Sequence, residues 1–285
     1  MLLKEYLLLA RLPVSFILPF VSVTTSYLFA SNGTLKPDII IPISAAIFGT
    51  AGMCALNDYF DVEADKLGKK NRPLATGKMA LENGLAFAIL CTIIGMMIAG
   101  VSNKVLLPVV GGLAVIIGLL YNWKTKGMGI WGTVNFGFIQ VTMVLLGITQ
   151  VESNPLNFNY ILFLCFVFFI AASNQSVANF YDFESDKKHG YHTIPNIYGL
   201  KLGAQIVLTI RLVGFVFLTS FFFNTGMLNV ITIFVLFIFL LLVLISHRLL
   251  KMAHNTKYAK IAYKISIVLT LLTMCSIVFG IYFII

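Results

Sequence analysis

Nine times along this chain, about 20 residues pass with almost no charge: roughly 12–31, 38–60, 81–100, 105–122, 129–150, 158–181, 202–223, 227–246 and 265–284. As a helix, each run is long enough to cross about 30 Å of hydrocarbon. In lipid, every backbone N–H and C=O of a spanning segment must be satisfied within the protein, which a helix does by itself. Hydrophobic residues make up 59% of the 285 and charged residues 11%, far more apolar surface than a water-facing exterior accepts. The sequence predicts an all-α polytopic membrane protein. The N-terminal stretch lacks a small-residue cleavage site, and its apolar run continues as the first span, unlike a cleaved signal peptide.

The connectors alternate in charge. Those after spans one, three, five and seven hold only Lys36 and Lys104 as basic residues, whereas the N-terminal end and the connectors after spans two, four, six and eight hold nearly all the rest. Such bias puts the N-terminus and the even-numbered connectors in the cytoplasm of a multi-pass protein, expected in the cell (plasma) membrane. The net charge of +9 is then mostly topology. No soluble basic domain exists to carry a nucleic-acid partner, which excludes that class. The four cysteines lie in separate spans without metal-ligand or disulfide spacing and read as packing residues.

Seven of the eleven acidic residues fall in two short segments. Residues 57–66 read N-D-Y-F-D-V-E-A-D-K and residues 178–187 read A-N-F-Y-D-F-E-S-D-K. At an offset of 121, Asp61 matches Asp182, Glu63 matches Glu184, Asp65 matches Asp186 and Lys66 matches Lys187. Both follow even-numbered spans, so both are expected at the cytoplasmic face. Spans four apart run in the same direction, which suggests a parallel repeat of about four helices, two such halves in all. Carboxylates at span ends are costly unless they bind something or face water, so a functional site is the first hypothesis.

Residues three and four apart share a helix face. Asn57, Asp61 and Asp65 stand at i, i+4 and i+8; Asp58 joins Asp61 and Asp65; Asn179, Asp182 and Asp186 stand at i, i+3 and i+7. Glu63 and Glu184 point elsewhere, toward solvent. Hard divalent cations relieve the repulsion within such clusters, and Mg²⁺ takes a few carboxylates together with waters and phosphate oxygens; the Asn57 amide oxygen suits it as a further ligand. The candidate metal set is Asn57, Asp58, Asp61, Asp65, Asp182 and Asp186. The basic connectors K-K-N-R-P-L-A-T-G-K-M (69–79), Y-N-W-K-T-K (121–126) and K-K-H-G-Y-H-T-I-P-N-I-Y-G (187–199) lie at the same face. Acid-held metal beside Arg72, Lys78, Lys124 and Lys188 describes a polyphosphate site. Asn179 is a further substrate-binding candidate.

These residues carry a resemblance. N-D-Y-F-D-V-E-A-D, then N-R-P-L-A-T-G, a Y-x-x-K loop, and D-F-E-S-D-K-K-H-G with T-I-P resemble the UbiA superfamily of intramembrane prenyltransferases, in order and over nearly the whole chain. The resemblance implies nine helices around a central cavity open to the lipid, a single transmembrane prenyltransferase domain over 1–285 with Asp-rich motifs at 57–65 and 179–186. It implies Mg²⁺-dependent transfer of an isoprenoid chain from an allylic polyprenyl diphosphate to an aromatic, quinone-precursor acceptor or a glycerol-phosphate lipid. Carried over by position, Asn57, Asp61 and Asp65 would hold one Mg²⁺, and Asp182 and Asp186 another. Arg72, Lys78, Tyr121 and Lys124 would grip the diphosphate or help it leave, and Arg11 matches a family arginine near the cavity. Asp61, Asp182, Arg72, Lys124 and Tyr121 are then the catalytic candidates. Two departures stand out: His192-Thr193 replace the usual K-T or K-S of the second loop, and Lys124 is followed by Thr125 and Lys126 rather than Arg.

Two other readings stay open on the residues alone: a terpene cyclase or diphosphatase with the same metal chemistry, and an ion-coupled transporter whose acids bind the cation. The transporter explains the basic loops less well, because they would compete with the cation, and leaves N-R-P-L-A-T-G unexplained. His189 and His192 read as solvated loop residues. Arg211, inside the seventh span, has two open placements, snorkelling to an interface or pairing inside the bundle. Gly111, Gly112, Gly132 and Gly137 are expected to allow close helix packing.

Overall fold

A computed structural model of the protein describes residues 2–12, 14–68 and 71–284; Lys69 and Lys70, at the start of the first basic connector, lie outside them. Twelve α-helices follow in order: α1 (Leu2–Leu9), α2 (Val14–Ala30), α3 (Ile40–Phe60), α4 (Val62–Leu67), α5 (Leu81–Gly100), α6 (Leu106–Trp123), α7 (Ile130–Val151), α8 (Phe158–Tyr181), α9 (Phe183–His189), α10 (Ile194–Asn224), α11 (Val230–Lys251) and α12 (Thr256–Ile284). Among the described residues there is no strand beyond one isolated bridge pairing Met128 with His192.

Among the described residues eight helices are long and apolar enough to cross a membrane, and α1 with α2, bent by 49°, supplies a ninth when taken as one span. Between the two helices Arg11 has a φ of 54°, in the left-handed region that side chains rarely adopt. Two other spans begin earlier than hydropathy indicates. α10 starts at Ile194, not near 202, with Pro195 in its first turn and a break at Gly199 (φ 73°, ψ 168°) that only glycine takes easily. α12 starts at Thr256, because the lysine-bearing stretch before residue 265 forms helix although it is too polar to score as membrane.

The chain divides into two compact units, one of Met1–Ala30, Leu35–Lys124 and Thr142–Ser153, the other of Ser31–Thr34, Thr125–Val141 and Asn154–Ile285. Each carries one acidic motif.

In the first unit α3 packs against α2, α5 and α6. Small residues set the closest approach. A Cβ on Gly52 would lie 2.9 Å from the Ala88 carbonyl oxygen, and one on Gly95 3.0 Å from that of Ala45. At the start of α3, Asp38 accepts from the Tyr27 hydroxyl (2.6 Å) and from Gln150 Nε2 (3.0 Å), while Ser102 Oγ donates to Gln150 Oε1 (3.0 Å). That end of α3 is thereby tied to α2 and α7, and the acidic motif stands at its other end.

In the second unit α8 packs on α10 and α12, α10 on α11, and α11 on α12. Asn157 caps α8 by accepting from the Tyr160 amide (3.0 Å). Asn229 and Thr232 form a reciprocal capping box at α11. Arg211 is only 1% exposed. Its guanidinium donates to the hydroxyls of Ser173 on α8 (3.3 Å), Ser246 on α11 (2.6 Å) and Ser266 on α12. Of the two placements open to it, Arg211 takes the one inside the bundle. The glycine expectation holds at Gly132 and Gly137, where an added Cβ would lie 2.6 Å from the Thr125 carbonyl oxygen and 2.7 Å from the Phe168 ring; at Gly112 only ordinary contact with Met96 would result.

Candidate active site at two helix ends

Both acidic motifs sit where a long helix breaks into a short one. Between α3 and α4 stands Asp61 (φ −91°, ψ 5°), and between α8 and α9 stands Asp182 (φ −91°, ψ 9°). This sparsely populated bridge conformation recurs among active-site residues. The i to i+4 hydrogen bonds continue through each break. The Asp61 amide donates to Asn57 (3.0 Å) and the Asp65 amide to Asp61 (2.7 Å); the Asp182 amide donates to Ala178 (3.1 Å) and the Asp186 amide to Asp182 (2.8 Å). Acids four residues apart therefore stay one turn apart, and the sequence repeat is also a backbone repeat.

In the first unit the acids are buried: Asp58, Asp61 and Asp65 are 1%, 3% and 2% exposed. Asp58 Oδ1 accepts from both Arg11 Nη2 and Arg72 Nη1, the latter at 2.7 Å. Arg72 Nε also lies 3.7 Å from Asp65 Oδ2. Arg11 donates in addition to Asn57 Oδ1, and Asn57 Nδ2 donates to Asn122 Oδ1 (2.9 Å). The N-R-P-L-A-T-G loop is shaped to deliver Arg72. The Thr76 amide closes back on the Arg72 carbonyl (2.9 Å) and Gly77 takes φ 71°. Leu74 is buried over Gly84 of α5, where a Cβ would lie 2.7 Å from its methyl group. Lys78 follows this turn and is exposed; Tyr121 is buried in the last turn of α6, and Lys124 is exposed at its end. Glu63 and Glu184 are exposed, and Glu63 pairs with Lys66 (2.8 Å).

In the second unit Asn179 is buried and accepts from Gln175 Nε2 (3.3 Å), while Asp182 and Asp186 are half-buried and Lys188 is exposed. α9 ends at Gly190 (φ 85°), and the Tyr191 amide returns to the Asp186 carbonyl (2.9 Å). The next amide, of His192, donates to Gly127 (3.0 Å). A Cβ on Gly127 would lie 2.7 Å from the Tyr191 ring, so any side chain there would displace it. The 125–129 turn is thus bound to the end of the second motif, and Asn135 Nδ2 holds it through Thr125 Oγ1 (2.8 Å). The His189 ring meets Tyr191 edge-on at 4.5 Å.

The donor set suits Mg²⁺. Within the first unit three carboxylates, of Asp58, Asp61 and Asp65, are buried in a place of low solvent access, with the guanidiniums of Arg11 and Arg72 on Asp58. One oxygen of Asp58 is buried without a hydrogen-bond partner. Among the described residues no three His, Cys, Asp or Glu side chains close into a cage, and Mg²⁺ commonly takes one or two carboxylates, leaving positions for water and phosphate oxygens.

Asn122 was not among the residues singled out from the sequence. The signal available was a polar side chain in the last turn of an apolar span, beside Tyr121.

The sequence profile of the UbiA prenyltransferase family matches residues 18–281. The chain belongs to that family. It is an integral membrane prenyltransferase, an all-helical UbiA enzyme. Among its relatives, the digeranylgeranylglyceryl phosphate synthase of Methanopyrus kandleri is 28% identical over 196 residues, 69% of this chain and 70% of that one. The enzyme of the same name from Sulfolobus acidocaldarius is 28% identical over 244 residues, 83% of this chain and 86% of that one. A UbiA homolog from Archaeoglobus fulgidus, solved bound to DMAPP and Mg²⁺, shares the fold with a TM-score of 0.67 at 16% identity, covering 96% of this chain and 99% of that one.

Proposed function

We propose that this UbiA protein acts as a single prenyltransferase domain, moving an isoprenoid chain from an allylic polyprenyl diphosphate to a glycerol-phosphate lipid acceptor. The observation that carries the reading is the doubled helix break, with Asp61 and Asp182 in the same backbone conformation and a second acid one turn on. The acceptor class is supported by the names of the Methanopyrus and Sulfolobus relatives.

In this proposal Asn57, Asp61 and Asp65 hold one Mg²⁺, and Asp182 and Asp186 a second. Bound there, Mg²⁺ neutralises charge that develops on the leaving diphosphate. Asp58 is assigned a different task, keeping Arg11 and Arg72 in place as the shared anion of both. Arg72, with Lys78 and Lys124 from the exposed connectors and with Arg11, is assigned to bind diphosphate oxygens in the first unit, and Lys188 and Asn179 are assigned substrate binding in the second. Tyr121 offers a hydroxyl where the leaving group departs. Stabilising charge where it appears in the transition state is the main catalytic contribution such groups make. The allylic cation left behind is captured by the acceptor hydroxyl oxygen, whose proton passes to the released diphosphate, and exclusion of water limits hydrolysis. The motif-bearing connectors face the cytoplasm of the plasma membrane in this reading, as the Lys and Arg bias indicates.

The test is a transfer assay with the detergent-solubilised chain. Radiolabelled geranylgeranyl diphosphate is offered with Mg²⁺ or EDTA against geranylgeranylglyceryl phosphate and against a panel of aromatic acids. Mg²⁺-dependent labelling of the lipid is expected. Labelling of the aromatic acids alone overturns the acceptor assignment, and diphosphate release with no labelled acceptor points to a cyclase or diphosphatase.

A further inference from the structure

Asn122 is 9% exposed at the end of α6, and both halves of its amide are used. Nδ2 donates to the Gly118 carbonyl one turn back (3.0 Å), and Oδ1 accepts from Asn57 Nδ2 (2.9 Å). Asn57 Oδ1 in turn accepts from Arg11. The two ends of this chain have fixed character, since a backbone carbonyl can only accept and a guanidinium can only donate. With an obligate acceptor at one end and an obligate donor at the other, both intervening amides have only one orientation that satisfies every contact. Turning either by 180° sets donor against donor or acceptor against acceptor.

The consequence falls on Asn57. An amide binds a hard cation through its oxygen, and its NH₂ group would repel one. The link to Asn122 ties the NH₂ group to α6 and leaves Oδ1 on the side of Arg11 and Asp58. A carbonyl oxygen has two lone pairs, so the contact with Arg11 does not exhaust it. We infer that Asn122 is a positioning residue for metal binding: anchored by the Gly118 carbonyl, it fixes the orientation of the Asn57 amide so that oxygen, not nitrogen, faces the cation. This inference rests on the proposed metal role of the first motif. Partners that orient a metal ligand typically change affinity by about 10–100-fold when removed.

The experiment isolates the first motif by disabling the second with Asp182→Ala and Asp186→Ala, then measures Mn²⁺ binding to the purified full chain by electron paramagnetic resonance, without donor or acceptor. In that background Asn122→Leu, and the smaller Asn122→Ala, should each weaken Mn²⁺ binding about tenfold or more. In a chain that also carries Asn57→Ala, the same substitutions should change binding less than twofold, because their only route to the metal is gone. Thermal unfolding of each variant confirms that a folded chain is compared. An equal loss with and without Asn57, or no loss in either case, overturns the inference while leaving the metal reading intact. No Mn²⁺ bound by the intact first motif overturns the metal reading and the inference with it.

Discussion

The two acidic motifs share a backbone and differ in burial and in their partners at one matched position. Asp61 and Asp182 take the same turn to within a few degrees of ψ, and each leads into a short helix whose second acid is one turn on. Yet the first cluster is buried and neutralised in part by two guanidiniums, whereas the second is half-buried. One matched pair differs in kind. Where the first motif has Asp58, shared between Arg11 and Arg72, the second has Asn179, bonded to Gln175. A buried carboxylate demands cationic partners and a buried amide does not. The repeat therefore supplies the placement of acids, and at this one position the first motif gathers two guanidiniums where the second has an amide.

The largest effect tests what the motifs share. Asp61→Ala and Asp182→Ala should each lower transfer by at least about 10²–10³-fold, on the scale of losing a group that stabilises developing charge. Both should leave the thermal unfolding midpoint in detergent near the wild-type value. Full activity in either variant would break the assignment of that motif.

Next comes what the motifs do not share. Asp58→Asn gives the first motif the amide of the second and strips two guanidiniums of their common anion, a cost of about 1.5–3 kcal/mol read from chemical denaturation. Asn179→Asp makes the reverse change beside Gln175 and should also destabilise, by burying a new charge. If Asn179→Asp is neutral, the second site tolerates an acid without an arginine and the contrast fails.

Arg72→Lys should lower transfer by about tenfold. An ammonium is a point charge on a flexible stem and cannot reproduce the planar fork that reaches both Asp58 and Asp65. The smallest effect sharpens the boundary of the site. Glu63→Gln and Glu184→Gln, both exposed, should change stability by less than about 0.5 kcal/mol and leave transfer within twofold.

The membrane architecture was legible because hydrocarbon imposes a length on each span. The acids and their spacing were legible because a helix converts sequence separation into a shared face. What could not be read depends on which spans meet. Asp58 and Asp61 look equivalent as candidate ligands in the sequence, and only the approach of Arg11 from the α1–α2 bend and of Arg72 from the loop after α4 separates them. Asn122 and Gln150 are polar residues near the ends of apolar spans, and partners of each lie 65 and 112 residues away in the chain. The early start of α12 was missed because its first turns carry lysines, which a hydropathy window counts against membrane although they favour helix.

Arg211 has a consequence for how the protein is made. An arginine near the centre of a span raises the cost of partitioning that helix into lipid by about 2.5–3.5 kcal/mol. Of the three serines that satisfy it, Ser173 precedes it in the chain, but Ser246 and Ser266 follow. When α10 leaves the ribosome, two of its guanidinium's three partners have yet to be synthesised. This helix has reason to linger at the insertion machinery until α11 and α12 arrive, so that the C-terminal helices enter the bilayer as a group rather than one by one.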